Sequence, residues 1–111
     1  MKLLRFGEFG KEKPGIIDKD GKIRDLSNHI PDINGETITS DSLKKISAID
    51  LSSLPIVPDN SRIGACVGNI GKFLCIGLNY SDHAAETGMP VPGEPILFSK
   101  ATSAVVGPND N

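Results

Sequence analysis

The stretch Gly77-Leu78-Asn79-Tyr80-Ser81-Asp82-His83-Ala84-Ala85-Glu86 holds the side chains of this chain best suited to chemistry. His83 and Glu86 are three apart, so on a helix they project from one face. A carboxylate beside an imidazole fixes its tautomer and raises its basicity, leaving the other ring nitrogen to take a proton from water or carbon. Ala84 and Ala85 leave room around the pair. The same spacing also suits a solvated helix face, so the pair by itself names a capability and not a reaction. Lys100 closes the apolar run Ile96-Leu97-Phe98 and precedes Ala101-Thr102-Ser103. A lysine at a strand end neutralises an anionic substrate or an enolate, or it snorkels at a sheet edge. Thr102 and Ser103 either donate hydrogen bonds to the same ligand or close a turn.

Other combinations carry less. Gly71-Lys72 lacks the earlier glycine and the following Ser or Thr of a phosphate-binding loop, with Cys66 and Phe73 at those positions. Asn79-Tyr80-Ser81 fits a glycosylation acceptor, which has meaning only in a secreted chain. His29 stands in a polar turn before Pro31 with no partner and reads as surface. Cys66 and Cys75 have no Cys or His companions at metal-ligand spacing. A disulfide stays open for them; a reducing compartment favours two buried thiols without function.

The elements that must position these residues divide at a change of composition. Nine of the Lys and Arg residues and ten of the acidic ones precede Ser61, against three and four after Asn60. The Pro55–Pro58 segment between the two parts favours an extended connector. Before it, Leu3 to Phe9 reads as a strand. Ile16-Ile17 and Lys22-Ile23-Arg24 flank Asp18-Lys19-Asp20-Gly21, whose ending marks a hairpin turn. A small antiparallel meander follows from these pieces, then a loop over 28–35 and a helix over 42–49. Thr39, Ser40 and Asp41 are its cap candidates, and Leu43, Ile46 and Ile49 share one face. After the connector, 62–67 and 72–76 read as short, largely buried strands. A helix over 79–87 ends at Gly88, a proline-rich loop follows, and strand character resumes at Ile96.

The 111 residues carry 12 Lys and Arg against 14 Asp and Glu. A net charge of −2 offers no footprint for nucleic acid and no cationic face for membranes. No apolar run approaches a bilayer span. Charge and glycine arrive too early at the start for a signal peptide, which points to a cytoplasmic protein.

Lys72-Phe73-Leu74-Cys75-Ile76-Gly77-Leu78-Asn79-Tyr80-Ser81-Asp82-His83-Ala84-Ala85-Glu86, the proline loop and Pro95 to Ser103 together resemble the fumarylacetoacetate hydrolase family. The likeness covers about residues 61–111. Residues 1–60 resemble, more faintly, the small N-terminal domain of bacterial members. Members named ureidoglycolate lyase or 2-hydroxyhepta-2,4-diene-1,7-dioate isomerase are the most similar. The resemblance implies a mostly β (α+β) protein: a small N-terminal antiparallel domain with one helix over 1–60, and from 61 to 111 the beginning of a mixed β-sandwich roll. It implies a homodimer, and a Mg²⁺ or Mn²⁺ ion held by a Glu-x-Glu strand and a further Asp. The ion would bind a 2-oxo acid or acylpyruvate-type substrate in its enolate form. His83 matches the family's lid histidine and Glu86 its partner in moving a proton. Tyr80 and Lys100, with Thr102 and Ser103, fall near the substrate.

The sequence departs from the family in holding no Glu-x-Glu, with Glu94 isolated and Asp110 in a terminal turn. The metal ligands are expected downstream of Asn111. The chain is then expected to be the N-terminal piece of an enzyme doing C–C hydrolysis, decarboxylation, isomerisation or lyase chemistry, and to be inactive alone. Ureidoglycolate lyase is one alternative within the family. A non-catalytic assembly or lid module is the other.

Overall fold

A computed structural model describes residues 1–111. Three short strands begin it: β1 (Lys2–Phe6), β2 (Lys13–Ile17) and β3 (Ile23–Asp25). They form an antiparallel meander in the order β1-β2-β3, with Leu4 opposite Gly15 and Ile17 opposite Ile23. The β2–β3 turn is built by Asp18, whose Oδ1 accepts from the backbone N–H groups of Asp20 and Lys22 at 2.9 Å each. Gly21 takes the left-handed conformation that this turn needs, at φ +78°.

Alternation along the strands gives the sheet two apolar faces, and both are covered. Ile16 and Leu3 face a cluster with Leu26, Leu54 and Ile46. Leu4, Phe6, Ile17 and Ile23 face Val57 and Ile63 on the other side. Ile46 comes from helix α1 (Ser40–Ser47), which starts at Thr39, whose side chain accepts from the Ser42 N–H. Leu26 is fully buried and Ile46 is 2 % exposed. Each such side chain contributes about 2 kcal/mol through area removed from water. A one-turn 3₁₀ segment, Leu51–Ser53, capped by Asp50, leads into the Pro55–Pro58 connector. The connector is extended and joins the sheet edge through a bridge between Arg24 and Ile56.

The compact unit reaches beyond the charge boundary at residue 60: it comprises Met1–Ile70 together with Val105–Asn111. Residues 62–67, expected as a strand, make only an isolated bridge between Ile63 and Phe6. The reason lies in an alternating chain of charges. Arg5 grips Asp32 with two nitrogens, at 2.7 and 3.2 Å, and lies 3.6 Å from Glu12. Glu12 in turn accepts from Arg62 at 2.8 Å, and Arg62 grips Asp110 through Nε, at 2.7 Å, and Nη2. Glycine backbone lies directly against this chain. A Cβ on Gly68 would collide with Asp32, one on Gly64 would come within 2.6 Å of Glu12, and one on Gly107 would collide with the Ile63 carbonyl. Two backbone hydrogen bonds to β1, Gly7 N–H to the Arg62 carbonyl and Gly64 N–H to the Arg5 carbonyl at 2.9 Å each, and packing against charged groups together hold this segment.

The second compact unit is Gly71–Ala104. Strands β4 (Phe73–Gly77) and β5 (Ile96–Lys100) pair antiparallel, from Phe73 opposite Lys100 to Gly77 opposite Ile96. Helix α2 (Ser81–Glu86) lies between them in sequence, and a 3₁₀ turn, Thr102–Ala104, follows. Opposed residues in such a ribbon share a face. One face therefore carries Phe73, Cys75, Phe98 and Ile96, and the other Leu74, Ile76 and Leu97. The expectation of buried strands is corrected here: apart from Cys75 and Gly77, which are half-buried, these residues are exposed, by 39 to 65 % for the six large apolar ones. Apolar character on both faces is what a strand inside a layered sheet needs, and this unit's other elements cover neither face.

Both cysteines are free, as expected, but neither is buried: Cys66 is exposed and Cys75 half-buried. Their apolar neighbours in sequence are exposed or half-buried too, because 65–67 is surface coil and β4 is uncovered. His29 lies at the surface.

Candidate active site

The second unit holds every side chain singled out for chemistry. β4 ends at Gly77, and only Leu78, Asn79 and Tyr80 separate it from α2. Tyr80 is the N-cap residue of α2, with extended backbone and no side-chain capping bond; its ring is 70 % exposed. Asp82 supplies negative charge in the first turn, where the helix dipole favours it. Its Oδ1 accepts from the His83 backbone N–H at 2.8 Å.

Exit from the helix is more tightly built than entry. Gly88, at φ +68°, donates from its N–H to the Ala85 carbonyl, and Met89 donates to the Ala84 carbonyl at 2.9 Å. These two bonds form a Schellman motif, which satisfies the last carbonyls of the helix. The Thr87 hydroxyl donates to the carbonyls of His83 and Ala84, at 3.0 and 3.1 Å. Ala84 is buried and every other residue of α2 is exposed.

His83 and Glu86 thus stand one turn apart on the solvent face of a short helix closed by Gly88. Their Cβ atoms are within about 6 Å on this spacing, and the imidazole and carboxylate are not paired in an ion pair. Both are open to water. The arrangement can take a proton from water or from a substrate carbon delivered to that face, with the carboxylate one turn away to stabilise the imidazolium.

Lys100, Thr102 and Ser103 stand at and beyond the end of β5. Lys100 pairs with Phe73, four strand residues from Gly77, so its backbone lies about 13 Å from the end that feeds α2. Its ammonium rests 5.7 Å from the centroid of the Phe98 ring, a cation–π contact. Thr102 and Ser103 form the 3₁₀ turn beyond it and are exposed. Tyr80, His83 and Glu86 are neighbours at α2, and the register of β4–β5 sets the Lys100 backbone at the strand end opposite Gly77.

No three His, Cys, Asp or Glu side chains converge as metal ligands. One imidazole and one carboxylate do not meet the oxygen-rich shell that Mg²⁺ or Mn²⁺ takes, and Asp110 is engaged by Arg62 and by the Gly107 N–H. The residues present therefore do not fit the ion that the family resemblance implies. No helix is long and apolar enough to cross a membrane.

Sequence reasoning missed two features, one beside the site and one in the first unit. Leu78 has φ +47°; Gly77 and Asn79 beside it signal a turn, but nothing in the sequence says that the leucine carries the left-handed angle. Asp110 read as part of a terminal turn, and its partner Arg62 is 48 residues away, beyond the reach of any local pattern.

No family model matches the chain. Relatives do. A protein of Burkholderia lata with the provisional description of a hydrolase is 60 % identical over 110 residues, covering 99 % of this chain. A protein of Burkholderia ambifaria, described in the same way, is also 60 % identical over 110 residues. The chain spans 39 % of the length of each. Among solved structures, a fumarylacetoacetate hydrolase from the psychrophile Exiguobacterium antarcticum matches with a TM-score of 0.58 and 28 % identity, over 96 % of this chain and 37 % of that one. The mostly β fold with small antiparallel sheets agrees with that likeness. The solved structure that this chain is similar to bears the name of the family that residues 61–111 resemble.

Proposed function

We propose that this chain, as a relative of fumarylacetoacetate hydrolase, is the N-terminal part of a hydrolase-type enzyme that acts on 2-oxo acid or acylpyruvate-type substrates, with His83 and Glu86 as its acid–base pair. The observation that carries the reading is the pair itself: two exposed groups on one face of α2, within the stretch whose sequence most resembles the family. His83 accepts or returns the proton, and Glu86 balances the charge that forms on the ring. Tyr80, at the entry of the same helix, is the nearest further side chain to orient a substrate. Lys100, Thr102 and Ser103 are the candidates for holding an anionic group of the substrate. The resemblance also implies Mg²⁺ or Mn²⁺, whose ligands would come from residues outside this chain, and a cytoplasmic homodimer.

The test is turnover by the natural full-length protein on oxaloacetate, acylpyruvates and ureidoglycolate, with and without Mg²⁺ or Mn²⁺. His83→Ala should lower kcat by about 10²–10⁴-fold with the fold intact. Glu86→Gln should lower it less. Unchanged turnover in both variants would overturn the assignment. Turnover of ureidoglycolate alone would select the lyase reading.

The β4–β5 ribbon supports a second reading. Six large apolar side chains on its two faces are exposed, as in a module that completes the sheet of a larger assembly. That reading predicts normal assembly, and no catalytic deficit, when His83 and Glu86 are both replaced by alanine.

A further inference from the structure

Left-handed backbone occurs at six positions in this chain, and five of them have a ready explanation. Gly7, Gly10, Gly21 and Gly88 are glycines, and Asn69, at φ +52°, belongs to the residue type that tolerates the region best after glycine. The sixth is Leu78 at φ +47°. It follows Gly77 directly, so a residue free of this penalty is adjacent, yet the angle falls on the leucine. A half-buried leucine held there persists only where the surroundings fix the angle, and such positions cluster at functional turns.

The neighbouring helix explains what would be fixed. α2 has six residues, no side-chain N-cap bond and one buried residue. A helix so short is not stable from propensity alone, so its direction is set where the chain enters and leaves it. Gly88 and Met89 secure the exit. Entry depends on the three residues after β4, of which Leu78 alone has an unusual angle.

We infer that Leu78 is a positioning residue: its left-handed backbone is a stiff joint that aims α2, and with it His83 and Glu86, away from the end of β4. The left-handed well of a non-glycine residue is narrow, whereas glycine at the same angle has wide freedom. The joint therefore exchanges some stability for a fixed direction. The functional part of this inference rests on the acid–base reading of His83; the mechanical part does not.

Leu78→Gly and Leu78→Asn separate the possibilities, because both relieve the strain and only glycine loosens the joint. Leu78→Gly should reduce backbone NMR order parameters over Ser81–Glu86 from about 0.85 to below about 0.6, with the thermal midpoint unchanged or raised. Leu78→Asn should keep them rigid. In the full-length protein, Leu78→Gly should lower kcat by about tenfold or more with KM unaltered, and Leu78→Asn should restore it. Rigid α2 in Leu78→Gly overturns the inference. So does an asparagine variant as loose as the glycine one, because the leucine side chain would then be responsible. Absence of turnover in the unaltered full-length protein overturns the proposed function instead, and the order parameters then decide the joint by themselves.

Discussion

The two compact units put similar residues to opposite uses. Met1–Ile70 with Val105–Asn111 buries both faces of a three-stranded sheet, and charged side chains fasten its last segments. Gly71–Ala104 is poorer in charge and carries apolar side chains on both faces of a ribbon, yet it buries only Ala84. Apolar composition is thus a statement about the surroundings that a segment is built for. The unit with the core holds none of the candidate site residues, and the unit with the site has almost no core. Regions that bind and move are commonly drawn from the least stable parts of a fold.

The contrast is most easily broken in the core. Ile46→Ala should cost about 2–5 kcal/mol, read from urea unfolding with probes in each unit. Loss of signal from Gly71–Ala104 at the same urea concentration would show that the two units unfold as one. Acid comes next. The Arg62 guanidinium, by its hydrogen bonds, holds the Glu12 and Asp110 carboxyls below their ordinary values, and Arg24 does the same for Asp18. A carboxylate depressed in the folded state gives stability that is complete above its unfolded pKa and disappears as pH falls through its folded one. The first unit should therefore lose stability below about pH 4, and Arg62→Met should flatten that acid limb. A titration in which the variant keeps the full acid slope would remove the charge chain from the account.

Smaller effects sharpen the same comparison. Thr39→Ala removes the acceptor of the Ser42 N–H and should cost about 1 kcal/mol, seen as lowered amide protection in α1. His83→Ala and Glu86→Ala, both on the open face of α2, should each change stability by less than about 0.5 kcal/mol. Calorimetry that finds either variant strongly destabilised would make the pair structural.

Much of the first unit could be read from the sequence because its signals are local. Asp18 and Gly21 announce the hairpin turn, Thr39 caps α1, and Ile46 falls on its apolar face. Gly88 likewise marks the end of α2. Misreadings arose where a local pattern met a distant partner. Arg62 to Val67 has strand-like residues, but its pairing with β1 stops after the bridge at Ile63, Arg62 is spent on Glu12 and Asp110, and Gly64 and Gly68 pack on charges. Cys75 was expected inside because its neighbours are apolar, and those neighbours are themselves open. For the site, the spacing of His83 and Glu86 was legible. The place of Lys100 opposite Phe73 depends on strand register, and the angle at Leu78 on the turn as a whole.

The Arg62–Asp110 clasp also bears on the order in which the chain can be assembled during synthesis. The first unit is discontinuous: Asp110 belongs to it, yet is made only after all of Gly71–Ala104 has emerged. Until then Arg62 has Glu12 but not its second carboxylate, and the backbone that packs on Ile63 at Gly107 is missing. The meander and α1 can form early from neighbours in sequence, while the clasp must wait for a loop of 48 residues to close, at modest entropic cost. A contact made that late contributes little to the rate of folding and much to the rate of coming apart. The Arg62–Asp110 ion pair is therefore a lock turned last.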